Sequence, residues 1–319
     1  MTRTEQLGLY TWVESDPVSL TQMNENFTQL DTVGAQALAR ANAAGINAAG
    51  LLLHSRHAGQ DISFAQDVMA ADLTRVKDAA AYSQLMFSSA GAHLLASGYS
   101  GVTENIRNSD GTNISVSSSN SPRKIWTIKP SGFGALSSVT VTMTTGAYGS
   151  FTDQILLYCG GTLVAESDEY VKTDINTSQA EFTCTFDGFV LDPNKTYDLY
   201  FKTTYSTLRH ISSATITATP LIYTSGWLIS PVQHLSQGRR QVHLNVYTGG
   251  TACTVEYRLD GGSWNVADNY RTQAAASQTG AACTLRSYLF SITANADLEL
   301  RIGLPDADSI VYGYSAAIL

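Results

Sequence analysis

Hydrophobic and polar positions alternate in two different rhythms along this chain. In the opening stretch, Leu20, Met23, Phe27 and Leu30 recur at three- and four-residue intervals among Thr21, Gln22, Asn24, Glu25, Thr28 and Gln29. That period predicts a helix with one narrow apolar stripe, entered where Asp16-Pro17 breaks an extended leader and Ser19 caps the first turn. A second helical stretch is expected from Ser63 to Ser88, where Ala65, Met69, Leu73, Val76 and Ala80 keep a 4-4-3-4 spacing. Between them, residues 34–50 are Ala-rich and interrupted by Gly34, Gly45 and Gly50, which suits helical pieces with bends.

From residue 123 the rhythm changes to two. Lys124–Ile128, Val139–Met143, Ile155–Tyr158, Glu181–Phe186, Tyr197–Phe201 and Ala214–Ala218 are short alternating runs, and Gly160-Gly161, Asp187-Gly188 and Asp192-Pro193-Asn194-Lys195 supply turns. A second set follows with Gln241–Tyr247, Thr254–Leu259, a turn at Asp260-Gly261-Gly262, Leu285–Thr293, Leu298–Ile302 and Ile310–Tyr314. Residues 97–122, rich in Ser, Asn, Gly and Thr, have no countable apolar period and read as a neck. The expected fold class is α+β and multidomain. An amino-terminal segment and anchor helix (1–34) and an Ala-rich helical or coiled-coil region (35–96) lead through the neck (97–122) to two antiparallel β-sandwiches, jelly-roll-like (123–219) and Ig-like (220–319). Each is about the usual size for such a domain.

Composition narrows the function classes. Charged residues are 14% of the 319 and the net charge is −8. Phosphate-tracking proteins need clustered cations, and the two pairs Arg123-Lys124 and Arg239-Arg240 do not make a groove, so no nucleic-acid partner is expected. Neither a signal peptide nor an apolar run long enough to span a bilayer is legible, so synthesis in the cytoplasm without membrane insertion is expected. The four cysteines Cys159, Cys184, Cys253 and Cys283 form no C-x-x-C pair and are expected to be buried thiols; Cys253 with Cys283 is the candidate for any bridge formed outside the reducing cytosol.

A search for chemistry finds no converging set. His54 and His57 sit three residues apart, a spacing that would suit a metal on a symmetry axis, but exposed imidazoles are the plainer reading, and no metal or cofactor is expected. No G-x-S-x-G elbow or dinucleotide fingerprint is present, and the acid pairs Asp168-Glu169 and Asp306 with Asp308 lie in polar turns. The chain is therefore expected not to be an enzyme. Binding has better support, because sugar recognition uses aromatic faces beside amide and carboxylate groups. Trp264, Asn265, Asp268, Asn269 and Tyr270 offer that mixture in one loop, with Tyr312 and Tyr314 available to join it. The opposing reading makes Trp264 the inward aromatic of its hairpin and the tyrosines packing residues.

Three stretches also carry resemblances. Leu7-Gly8-Leu9-Tyr10, Asp16-Pro17-Val18 and Asn24-Glu25-Asn26-Phe27 with Leu30-Asp31 resemble the amino-terminal segment of tail-fibre and baseplate-associated proteins in phages and prophages of Gram-positive bacteria. Phe189 to Phe201 resembles the penultimate strands of carbohydrate-binding-module sandwiches, and Val255 to Trp264 resembles a hairpin of immunoglobulin-like or fibronectin-like fibre domains. The first resemblance implies a virion component anchored to a tail or baseplate protein through Trp12, Asp16, Pro17, Phe27 and Leu30. Because three narrow stripes can bury one another and weak sugar sites gain avidity when displayed together, a homotrimer that binds a host cell-surface glycan through its carboxy-terminal half is expected. A purely structural connector (collar, head fibre or upper baseplate protein) and a carbohydrate-binding accessory of a cell-wall hydrolase are the rival readings.

Overall fold

The computed structural model describes residues 2–3, 7, 9–11, 19–34, 36, 51, 53, 58, 68–235, 241–292 and 295–318. An N-terminal ribbon pairs β1 (Thr2–Arg3) with β2 (Tyr10–Thr11), and residues 20–34 form helix α1. Strands β3 (Val68–Asp72), β4 (Ala81–Ser83), β5 (Met86–Ser88) and β6 (Gly91–His93) come next. They are followed by β7 (Gly101–Asn105), β8 (Ile114–Val116), β9 (Arg123–Ile128), β10 (Gly134–Ala147), β11 (Phe151–Cys159), β12 (Thr162–Glu166) and β13 (Tyr170–Lys172). Then come β14 (Gln179–Leu191), β15 (Tyr197–Thr203), β16 (Arg209–Pro220), β17 (Gly226–Ile229), β18 (Gln233–His234), β19 (Gln241–Gly249) and β20 (Thr254–Leu259). The last are β21 (Asn265–Val266), β22 (Tyr270–Ala276), β23 (Ala282–Ser291), β24 (Asp297–Leu304) and β25 (Ile310–Ile318).

These strands make two sandwiches, and the first is inserted into the second. In the first, a five-stranded sheet in the order β14-β10-β16-β7, with β8 on β16, faces a five-stranded sheet in the order β12-β11-β15-β9, with β13 on β11. In the second, a six-stranded sheet (β21-β20-β24-β17-β4, with β18 on β24) faces a seven-stranded one (β22-β23-β19-β25-β6-β5, with β3 on β25). The chain thus starts the second sandwich with β3 to β6, leaves to build the whole of the first, and returns at β17. Each sandwich has its own core of alternating inward residues: Val139, Val141, Phe182, Leu199, Phe201 and Ile216 in the first, Leu244, Val246, Leu298, Leu300, Ile302 and Tyr314 in the second.

This corrects the α+β expectation. The chain is nearly all β, and no N-terminal coiled-coil region precedes the sandwiches among the described residues. The Ser63–Ser88 helical stretch is instead strand, turn and strand from residue 68 onward, because Met69, Ala71 and Leu73 also satisfy a two-residue period and bury themselves in the second core. Two buried acids fix the turn that follows. Asp78 Oδ2 accepts the Asp72 N–H at 2.9 Å, and Asp72 Oδ1 accepts the Thr74 N–H at 3.1 Å and its hydroxyl at 2.8 Å. Side-chain competition of this kind for backbone N–H groups ends regular helix. Residues 97–122, read as a neck, supply β7 and β8 to the first sandwich.

The two sandwiches are joined by more than their two chain crossings. The Asp192–Lys195 turn of the first reaches the β4–β5 corner of the second. Asn194 accepts the Phe87 N–H at 2.9 Å and donates to the Leu85 carbonyl at 2.7 Å, while the Tyr82 hydroxyl donates to Asp192 at 2.8 Å. Within the first sandwich, Arg209 is buried and forks onto Asp153, Nη1 to Oδ2 at 2.9 Å and Nη2 to Oδ1 at 2.6 Å, with Thr203 Oγ1 a third acceptor at 2.7 Å. Four rings surround the guanidinium, Phe151 at 4.7 Å, Tyr205 at 5.0 Å, Phe201 at 5.5 Å and Phe182 at 5.9 Å to their centroids.

Candidate functional site

Two surfaces stand out, one at each end of the sequence. At the amino end, α1 begins at Ser19, whose hydroxyl accepts the Gln22 N–H at 3.4 Å. Its stripe is not covered: Leu20, Phe27 and Leu30 are 76%, 60% and 45% exposed. Among the described residues, Asn26 ties the leader back to the helix. Asn26 accepts the Tyr10 N–H at 2.6 Å and donates to the Tyr10 carbonyl at 2.9 Å, as a neighbouring strand would. The second asparagine of the Asn24-Glu25-Asn26-Phe27 run therefore has a local task, and Phe27 beside it points outward. Trp12, Asp16 and Pro17 lie outside the described residues, as do His54 and His57.

At the carboxy end, Trp264 lies on the outward face of the six-stranded sheet, above a cross-strand charge ladder. Arg258 on β20 pairs with Glu299 on β24 at 2.7 Å, and Arg301 on β24 pairs with Glu256 on β20 at 2.6 Å. The Trp264 ring sits 4.6 Å from the Arg258 guanidinium and 4.7 Å from that of Arg301. Each arginine is thus paired with a carboxylate and lies over the same indole. Trp264 is half-buried and is not among the core residues, while Asn265, Asp268 and Asn269 are exposed.

The chain crosses between sheets within the loop, so its aromatics do not share one face. Tyr270 opens β22 on the seven-stranded sheet, opposite Tyr288, whose ring is 5.0 Å away and belongs to the core. Tyr270 is therefore a rim residue at the edge of the sandwich, and Arg286 lies 5.2 Å from its ring. Tyr314 is a core residue, and Tyr312 packs with Leu53, Ala70, Tyr247 and Leu285 on the outer face of the seven-stranded sheet. Sequence reasoning missed the charge ladder, although Glu256, Arg258, Glu299 and Arg301 each sit at alternate positions of their strands.

Similarity to known proteins is slight. No family model matches the chain and no curated protein matches it. Among solved structures, the VP2 subviral particle of infectious bursal disease virus covers 73% of this chain at 9% identity and a TM-score of 0.24. The Gx strain of the same virus gives 73%, 8% and 0.24. The chain spans 44% of the length of each of those proteins.

Titratable groups elsewhere are in structural use. Burial pushes the Cys184 thiol up to about 11 and the Cys253 thiol up to about 12, so both stay protonated and unreactive at neutral pH. All four cysteines are free. Asp306 accepts the Asp308 and Ser309 N–H groups and the Ser309 hydroxyl in its own turn, and Asp168 accepts the Thr185 hydroxyl. Among the described residues, no three His, Cys, Asp or Glu side chains gather as metal ligands, and no helix is long and apolar enough to cross a membrane.

Proposed function

We propose that the protein is a non-enzymatic structural component of a virus-like particle, a phage tail fibre or baseplate-attached protein, self-associating as a trimer through α1 and displaying its sandwiches for attachment to a host-surface glycan. The observation that supports this reading best is the bare stripe of Leu20, Phe27 and Leu30 on an otherwise polar helix. An exposed apolar stripe of this kind marks a contact with a partner surface, here taken to be other copies of the chain. Weak sugar contacts through the exposed Trp264 loop would gain from display in three copies.

The test is the light-scattering mass of the purified full chain beside the Leu20→Asp/Phe27→Asp variant. The expected result is three protomers for the parent and one for the variant, with unchanged far-ultraviolet β signal. A parent that is monomeric at micromolar concentration removes the self-assembly part of the reading. Truncation must stop before β3, since Val68–Asp72 pairs with β25.

A further inference from the structure

We propose that β22 is a self-pairing edge: a second copy of the chain adds its own β22 antiparallel about a two-fold axis at Gln273, joining two seven-stranded sheets into one. The strand closes one side of its sheet with seven residues, Tyr270–Ala276, all exposed except the half-buried Ala275. Native edges are guarded by shortness, broken register, proline or lysine. Among the described residues, every other edge strand is five residues or fewer, or slips register against its neighbour as β9 and β14 do. The β22 strand has none of these guards, and its ladder to β23 runs unbroken from Tyr270 opposite Tyr288 to Ala276 opposite Ala282.

Backbone parity and side-chain size both select a second copy as the occupant. The Asn269 carbonyl accepts the Leu289 N–H at 3.1 Å and the Ser277 N–H donates to the Ala281 carbonyl at 2.8 Å, so the odd-numbered residues of β22 bond β23. The N–H and C=O groups of Tyr270, Thr272, Ala274 and Ala276 therefore face off the sheet edge. With the axis at Gln273, Thr272 meets the partner's Ala274 and Tyr270 meets the partner's Ala276, so free groups meet free groups along the whole strand in about eight hydrogen bonds. The three larger residues of the first half thus lie opposite the three alanines of the second, and Arg271 faces the partner's Ala275. The two Arg271 positions are about 14 Å apart along the strands, beyond the screening length at physiological salt. An axis at Thr272 or Ala274 keeps the parity but leaves two residues of each strand unpaired. Apolar surface flanks the edge: Val266 on β21, joined to β22 by residues 267–269, is 66% exposed and Tyr270 is 43% exposed.

One seven-residue strand buries little area, at the low end for specific interfaces, so the pairing is a weak one that needs crowded copies. The edge stays open at the micromolar concentration of the mass measurement and closes toward the millimolar range. The contact is independent of α1, since it joins sandwiches two by two whatever the helices do.

The experiment is disulfide trapping in the full chain with oxidised glutathione, on a Cys159→Ser/Cys283→Ser background that keeps only the two buried, protonated native thiols. In the proposed register Gln273 faces its own copy in a non-hydrogen-bonded pair, where Cα atoms are about 4.5 Å apart and a disulfide fits. Arg271→Cys is the control, because its own copy lies about 14 Å away along the strand. At submillimolar protein, non-reducing electrophoresis is expected to show at least about tenfold more dimer for Gln273→Cys than for Arg271→Cys. Mixing Arg271→Cys with Ala275→Cys restores the link. Adding Thr272→Pro, whose lost N–H faces away from β23, returns Gln273→Cys to the control level. The link persists in Leu20→Asp/Phe27→Asp, which separates this contact from helix association. Equal dimer from Gln273→Cys and Arg271→Cys, or a link that survives Thr272→Pro, would come from collision or in-register stacking and overturns the two-fold pairing. No link at Gln273→Cys leaves the edge to a strand of another protein and also overturns it.

Discussion

Removing the Asp153 carboxylate is expected to be the most damaging single change in the first sandwich. Side-chain exposure is 2% for Arg209 and 0% for Asp153, so neither charge is solvated by bulk water. In Asp153→Ala the guanidinium keeps only Thr203 and the surrounding rings, and the cost of a buried charge left without its partner is about 3–5 kcal/mol. For a folding unit of this size that lowers the midpoint of the first sandwich by roughly 12–20 °C. Replacing both groups, Asp153→Leu with Arg209→Met, removes the unpaired charge and is expected to fall near the parent or up to about 4 kcal/mol above it. Urea unfolding followed by tyrosine and tryptophan fluorescence measures all three. If Asp153→Ala loses less than about 1 kcal/mol, or if the double variant is as unstable as the single, the cost does not come from a stranded charge and the reasoning fails.

Other expectations follow from the same contacts. Trp264→Ala removes two guanidinium stacking contacts and is expected to cost about 1–2 kcal/mol in urea unfolding at low salt; an unchanged midpoint would mean that the Arg258 and Arg301 pairs hold without their cover. Asn194→Ala strands the Phe87 N–H and Leu85 carbonyl, a loss of about 1–3 kcal/mol, and should split one calorimetric transition into two as the sandwiches uncouple. A single transition, shifted or not, would count against the turn as a joint. His243 is buried, and burial lowers its pKa below the ordinary histidine value of about 6.5, so the unfolded chain takes up its proton first as pH falls. Stability is then level above pH 6.5 and declines below it. His243→Gln should flatten that decline between pH 7.5 and 5.5; an identical slope in the variant would assign the decline to other groups.

The alternating runs in the middle of the chain were legible because each strand there has one wet and one dry face. Val139-Val141-Met143 and Phe182-Cys184-Phe186 announce β10 and β14 by period alone. The β3 to β6 region was not legible as strand. Alanine fits both periods, and Val68–Asp72 takes its conformation from β25, which lies more than two hundred residues later in the chain. No local window holds that information. At the candidate sites, the exposed stripe of α1 could be read from spacing, and so could Trp264 as an aromatic in a polar loop. That Trp264 would rest on two arginines, and that Tyr270 would go to a different sheet, depends on register across β20 and β24 and on where the loop crosses. Such facts follow from pairing partners, which a single sequence does not display.

The insertion of one sandwich into the other also sets how the molecule would carry load. Val68 lies opposite Ala317 on adjacent antiparallel strands, so consider a pull on Val68 against Ile318. Such a pull peels β3 from β25 one rung at a time, so the second sandwich is the mechanical fuse of the chain. The first sandwich lies off that line. A tug on something held by the first sandwich is instead shared between the two chain crossings and the Asp192–Lys195 turn, three tethers in parallel.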